Sequence, residues 1–371
     1  MTAVNTVLVV GAGLAGTGTA ILLASRGVAV DLVEVNAGIS AVGSGITLQG
    51  NALRVLRDLG VWEAVRAESS CFDSVGLRAP DGTLLAEIPD ARTGGPDLPA
   101  ALGMPRPALA RTLIERARDA GVKLHFGRSV TELGEDGAVT FSDGSTGRYD
   151  LVVGADGIRS TVRRLIGVEA GIRATGMGIW RVFGPRPASV TRTELCYGGP
   201  CYIAGYCPTG EDSLYAYLVE DAQNRGVLSA GERLETMREL ASAYHGPWDE
   251  IRAALDDPER LHYTWFETHV LPPPWHRGRV VLIGDAAHSC PPTLAQGGAQ
   301  ALEDATVLAE LLTERPVPDE QLWTAFTDRR YARAKAVVDA SNQLGQWLLD
   351  RERGDVPGLM HRIAELVSPP A

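Results

Sequence analysis

The chain has 371 residues, 45% hydrophobic and 22% charged, which suits a large soluble α/β domain with a smaller partner and not a disordered or fibrous chain. A formal charge of -11 with no concentrated Lys/Arg surface excludes nucleic acid as an expected partner. Five cysteines form no C-x-x-C pair, no basic leader precedes the first apolar strand, and no apolar run is long enough to span a bilayer; a cytoplasmic protein without membrane insertion is expected.

Asn5 to Val10 is a continuous aliphatic run, the pattern of a parallel strand covered on both faces. It leads directly into Gly11-Ala12-Gly13-Leu14-Ala15-Gly16, a G-x-G-x-x-G turn that opens a helix predicted from Leu14 to Gly27. In that setting Gly11 permits the tight turn, Gly13 lets backbone N–H groups approach a pyrophosphate, and Gly16 lets the helix pack closely. The helix N-terminus favours the anion. A second strand, Val28 to Val35, carries Glu34 18 positions after Gly16, where a carboxylate can accept hydrogen bonds from a ribose hydroxyl. These residues alone leave FAD and NAD equal.

Short alternating strands from Val75 to Ile88 flank the turn at Asp81-Gly82, and the Pro/Gly-rich stretch Pro89 to Pro107 breaks all periodicity, an excursion from the first domain. A helix from Pro107 to Ala120 and strands at 122–126, 137–141 and 151–153 resume the nucleotide fold. From 173 to 268, strand-like segments rich in Tyr, Trp and Cys, such as Gly199 to Tyr206 and Ser213 to Glu220, alternate with hairpin turns and predict a second, mostly antiparallel domain. Val280 to Ile283 reads as another buried strand, and amphipathic helices follow Gln300 through Asn342 and on to Leu366. No His/Cys/carboxylate cluster has zinc-like spacing, so no metal is expected.

Two later segments break the tie between cofactors. Asp150-Leu-Val-Val-Gly-Ala-Asp156-Gly157-Ile-Arg-Ser-Thr-Val-Arg163 and Gly278-Arg-Val-Val-Leu-Ile-Gly284-Asp285-Ala-Ala-His288 resemble, with the glycine turn and in the same order, the motifs of the para-hydroxybenzoate hydroxylase family, the group A FAD-dependent aromatic monooxygenases. The resemblance covers most of the chain. It implies an α/β fold with a Rossmann-type FAD-binding domain, a smaller, mostly antiparallel β-sheet substrate domain and C-terminal helices. The expected division is 1–72, 101–172 and 269–371 for the FAD domain, and 73–100 with 173–268 for the substrate domain.

The resemblance also implies site residues. Asp156 and Gly157 would touch FAD and the visiting nicotinamide, Gly284 and Asp285 the ribityl chain, and Arg106 the pyrophosphate or ribityl chain. Gly45, Ile46, Val35 and Val130 would line the cofactor, as would Leu14 and Ala15 within the glycine turn. Pro292 would lie near the reactive edge of the flavin, with Gly297 and Gly298 against its ring and the helix from Ala299 aimed at it. Many relatives carry glycine where this chain has Ala295. His288 reads as a residue that fixes this loop by hydrogen bonding, not as a general base.

The implied activity is that of a single-component hydroxylase. NADPH or NADH reduces FAD, O2 is captured at flavin C4a, and the hydroperoxide oxygen passes to an aromatic or polycyclic small molecule. Arg181, Tyr206, Tyr215 and Tyr217 are candidates for the substrate site, with Arg181, Tyr217 and Pro292 taken for the chemistry; Tyr215 and Tyr217 share one strand face by the period of two. A monomer or homodimer is expected. The rival readings are an FAD-dependent halogenase or reductase, and a non-catalytic flavoprotein that binds a hydrophobic ligand.

Overall fold

The computed structural model describes residues 3–39 and 45–371. Thr6–Val10 occupies the middle of a six-stranded sheet, paired in parallel with Leu151–Gly154 on one side and Ala29–Glu34 on the other. Val7, Leu8 and Val9 are fully buried, as a strand covered by helices on both faces requires. Val280–Leu282 and Lys123–Phe126 extend the parallel array, and the short strand His276–Arg277 closes one edge in the antiparallel sense. Helix Leu14–Ala24 leaves the central strand and packs against helices Gly297–Glu314 and Arg106–Asp119.

A second sheet of eight strands draws on residues 74–89 and 173–270, and takes in the two-residue strand His288–Ser289 from the flavin-motif region. It is antiparallel except where Glu194–Cys196 runs parallel to Ser74–Arg78. Its long strands, Arg173–Pro185, Ser213–Asp221 and Leu261–Val270, alternate their side chains between two differently covered faces. Trp180, Val182, Tyr206, Ala216 and Leu218 form one core with Leu234, Met237, Trp248 and Ile251. Met177, Ile179, Val219 and Phe266 face the other way, against Leu348 and Leu349 at the end of helix Glu320–Leu349.

Three sequence expectations need correction. Helices Ala230–Ala241 and Pro247–Ala253 interrupt what reads as strands and hairpins, and the first carries a capping box between Ser229 and Glu232 that marks its start. The strand expected from Gly199 begins at Ile203, because Gly198 and Gly199 take positive φ in a turn. Within the aperiodic stretch 89–107, Ala101–Pro105 forms a buried strand that pairs with Gly45–Gln49. No helix among the described residues is long and apolar enough to cross a membrane.

Candidate active site

Close approaches at glycines show how distant segments meet. A Cβ on Gly11, whose φ is 105°, would lie 2.4 Å from the Ala155 oxygen and 2.9 Å from Asp156 Cα, so the glycine turn abuts the second motif. One on Gly284 would lie 2.9 Å from Ala15 Cβ, and one on Gly298 2.9 Å from Leu14 and 3.7 Å from Ile46. A Cβ on Gly45 would strike Tyr215 at 2.5 Å. The glycine turn, the strand Gly45–Gln49, the 284–298 segment and the second sheet therefore converge, and the space they border is the candidate cofactor cleft.

Gly13 faces open space, and helix Leu14–Ala24 has neither a side-chain cap nor an acidic residue in its first turn, which leaves its leading N–H groups available to an anion. Glu34 accepts from the Ala12 amide at 2.9 Å and from the Asn36 amide at 3.0 Å, so the carboxylate expected at a ribose clamps the turn. Val35, next along, projects into solvent. The Val130 side chain belongs to the apolar core, which leaves only its backbone for a cofactor.

The two aspartates differ in what they do. Asp156 accepts from the Ser160 hydroxyl and from the Thr161 and Val162 amides at 2.7 and 3.0 Å; its carboxylate caps helix Thr161–Leu165, while Gly157, at φ 83°, has open space where a Cβ would stand. Asp285 sits on a single 3-10 turn with its side chain open to the cleft. Although the side chain is accessible, the protein packed around it desolvates its carboxyl and raises it above the usual carboxylate range; the nearby His288 and Arg106 charges pull it back, and Asp304 pushes it up further. Arg106, exposed at the start of its helix, acts on Tyr215 as well as Asp285.

Pro292 is exposed at the start of another single turn, and Ala295 ends that turn at φ 52°, the left-handed conformation for which glycine is the natural choice. The following helix begins at Gly297, two residues before the expected Ala299, and has no side-chain cap. Its N-terminus therefore also keeps free N–H donors near the cleft.

On the sheet, register puts Arg181 opposite Tyr217, and Phe183 opposite Tyr215, so all four share the face that Gly45 touches. The two tyrosine rings lie 5.3 Å apart, and the Tyr217 ring crosses Gly205, where a Cβ would be 2.4 Å away. Arg181 donates from Nε to the Tyr215 hydroxyl at 3.0 Å and from a terminal nitrogen to Thr264. Burial raises both tyrosine hydroxyls, and at Tyr215 Arg181 opposes the rise. Tyr206 does not belong here: it points to the opposite face, donates to Glu194 and meets Trp248 edge-on at 6.2 Å. Tyr197 was not singled out from the sequence, yet its hydroxyl lies near enough to influence Tyr217.

Behind the loop lies a buried polar network that periodicity alone conceals. Asp304 accepts from the Gly284 amide at 2.8 Å, pairs with His288 Nε2 at 2.7 Å, and receives Arg330 Nε at 2.7 Å. Burial alone would raise the Asp304 carboxyl, but His288 and Arg330 overcome it and hold the group at about 2. His288 thus ties the loop to helix Gly297–Glu314, the role its place in the motif implies.

The residues present fit FAD: two uncapped helix N-termini, an open Gly13, and Asp285 with Arg106 on the cleft wall. Residues 5–341 match the family described as FAD binding domain. The chain is 32% identical over 353 residues to 2-heptyl-3-hydroxy-4(1H)-quinolone synthase of Pseudomonas aeruginosa, covering 92% of this chain and 90% of that protein. It is 31% identical over 365 residues to 6-hydroxynicotinate 3-monooxygenase of Pseudomonas fluorescens, covering 93% and 92%. A solved structure, the tetrameric form of 2-methyl-3-hydroxypyridine-5-carboxylic acid oxygenase, matches with a TM-score of 0.82 at 28% identity over 97% of this chain and 96% of that one. The chain belongs to the FAD-dependent aromatic hydroxylase family and is an FAD-dependent monooxygenase.

Proposed function

We propose that this monooxygenase hydroxylates a nitrogen-containing aromatic ring that carries a hydroxyl, oxo or carboxylate group, held between the Arg181–Tyr217 face and the Pro292–Gly298 loop. The observation that carries the reading is the convergence of one guanidinium and two tyrosine hydroxyls on a sheet face that adjoins the cofactor cleft. The three relatives named above support the ring class, since each is named for a pyridine or quinolone.

FAD, once reduced by NADPH or NADH, supplies the oxygen-activating chemistry; the protein supplies placement and shielding. Arg181, fixed by Tyr215 and Thr264, keeps N–H donors for an anionic or carbonyl oxygen of the substrate. Tyr217, its hydroxyl kept protonated by burial, can donate to a ring substituent. Phe183 and Ile179 on the same face exclude water from the reacting ring. The uncapped start of helix Gly297–Glu314 favours negative charge at the adjoining edge of the cleft. The division 1–72, 101–172 and 269–371 against 73–100 and 173–268 is the working assignment of cofactor and substrate parts.

The test is a panel of hydroxylated pyridines, quinolones and benzoates, scored by stimulation of NADH and NADPH oxidation and by a product heavier by one oxygen atom. Stimulation confined to carbocyclic phenols would overturn the ring class, and a halogenated product would overturn the reaction. With an active compound in hand, Arg181→Ala should lower kcat/KM by about one to two orders of magnitude with full FAD content, the loss expected for a charged hydrogen bond. Unchanged kinetics would remove Arg181 from the site.

A further inference from the structure

We infer that helix Val356–Val367 and the residues after it belong to the cofactor site, because they set the position of the Pro292–Gly298 loop through two separate links. The first link is polar. Arg333 donates to the Leu366 carbonyl at 2.7 Å and to those of Val367 and Pro369 at 3.0 Å each, and it grips Glu303 with bonds of 2.8 and 2.7 Å. Glu303 accepts from Asn51 Nδ2 at 3.0 Å, and the same amide reaches Gln296 Oε1 at 3.0 Å. Gln296 is the residue immediately before Gly297 and Gly298. Arg54, one helical turn from Asn51, binds the Ser368 carbonyl at 2.7 Å and the Thr93 carbonyl at 3.1 Å, so the segment is held from both sides.

The second link is apolar. Leu294, inside the loop, packs in a cluster with Val337, Ala340 and Leu344 of helix Glu320–Leu349 and with Ile363 and Val367 of helix Val356–Val367. Thr293 adds a 2.7 Å bond to the Ser341 carbonyl.

Asn51, Gln296 and Glu303 are at most 1% exposed and Arg333 is 7% exposed, so each partner lies in a low-dielectric interior. There a displaced donor or acceptor finds no water to replace its partner, and a shift at one end must be accommodated at the other. The terminal helix therefore fixes where the Gly297 and Gly298 backbone stands, and with it the field and fit that a flavin ring meets. Asn51, Glu303, Arg333 and Ile363 are positioning residues: they act on the cofactor through the loop and touch neither substrate nor reacting atoms.

The experiment compares three full-length variants. Asn51→Ala breaks the polar link, and Ile363→Ala weakens the apolar one at the edge of a small cluster, where loss of folding is not expected. Leu234→Ala cuts into the core on the far face of the second sheet and serves as the control for general destabilisation. For each, the unfolding temperature, the FAD dissociation constant of the apoprotein, the visible flavin spectrum and the two-electron reduction potential are measured. Asn51→Ala and Ile363→Ala should each weaken FAD about tenfold, the loss expected for one buried interaction. Both should also shift the flavin band and its potential, while the control lowers the unfolding temperature and leaves the other three readouts at wild-type values. If both link variants behave like the control in affinity, spectrum and potential, the terminal helix is only structural and the inference is wrong.

Discussion

Ala295 holds a left-handed backbone at φ 52°, a conformation that costs an L-residue with a Cβ about 1 kcal/mol or more. Ala295→Gly should therefore raise stability by about 1 kcal/mol, read as a higher thermal midpoint of the apoprotein. A fall would show that the alanine methyl packs usefully enough to outweigh the strain. His269 presents the opposite situation, a buried imidazole whose one backbone contact, at Ala286, is too weak to hold a proton on the ring. Burial, with Arg163 and His288 nearby, lowers its pKa to about 4 from 6.5. The folded state thus refuses a proton that the unfolded chain accepts, so stability is unaffected above pH 6.5 and falls as pH drops from 6.5 towards 4, by up to about 3 kcal/mol. His269→Leu should flatten the unfolding midpoint across that window; an unchanged slope would assign the acid sensitivity elsewhere.

At the level of elements, the cofactor segments were legible because each is local. A strand followed at once by Gly11 to Gly16 must turn and open a helix, and the turn is as tight as the motif demands: a Cβ on Gly16 would stand 1.9 Å from the Gly11 oxygen. Gly16→Ala should give a folded protein that loses FAD on gel filtration, measured as flavin per chain by absorbance; full retention would show that the turn can relax. Other roles were not legible. The Asp156 carboxylate caps a helix, a role that a motif shared with cofactor contacts cannot separate from ligand binding. Glu303, Asp304 and Arg330 read only as polar positions of amphipathic helices, since their partners, Asn51, Gly284 and His288 among them, lie 16 to 252 positions away in the chain. No periodicity in a single sequence encodes such pairings. Helix Ala230–Ala241 did leave a trace in Ser229 and Glu232, hidden by neighbouring strand-like segments.

Over the whole molecule, the cleft is built from pieces of both sheets and from three helices widely separated in sequence, so a bound cofactor adds contacts between distant parts of the fold. A ligand held only by the folded state at roughly 100 times its dissociation constant adds about 2.7 kcal/mol. FAD at that excess should raise the thermal midpoint, by an amount that grows with the logarithm of its concentration; a midpoint indifferent to FAD would mean that the cleft is not its site.

The second sheet has a further consequence, for how such an enzyme changes its diet. Along Arg173–Pro185 and Ser213–Asp221 the residues proposed to meet a substrate and the residues that hold the helical core alternate one by one: Arg181, Phe183, Tyr215 and Tyr217 against Trp180, Val182, Ala216 and Leu218. Mutations at the first set reshape the pocket without opening a cavity under helices Ala230–Ala241 and Pro247–Ala253, and mutations at the second do the reverse. The pleat thus uncouples recognition from folding at a spacing of one residue, and a lineage can explore new rings by altering alternate letters of two strands.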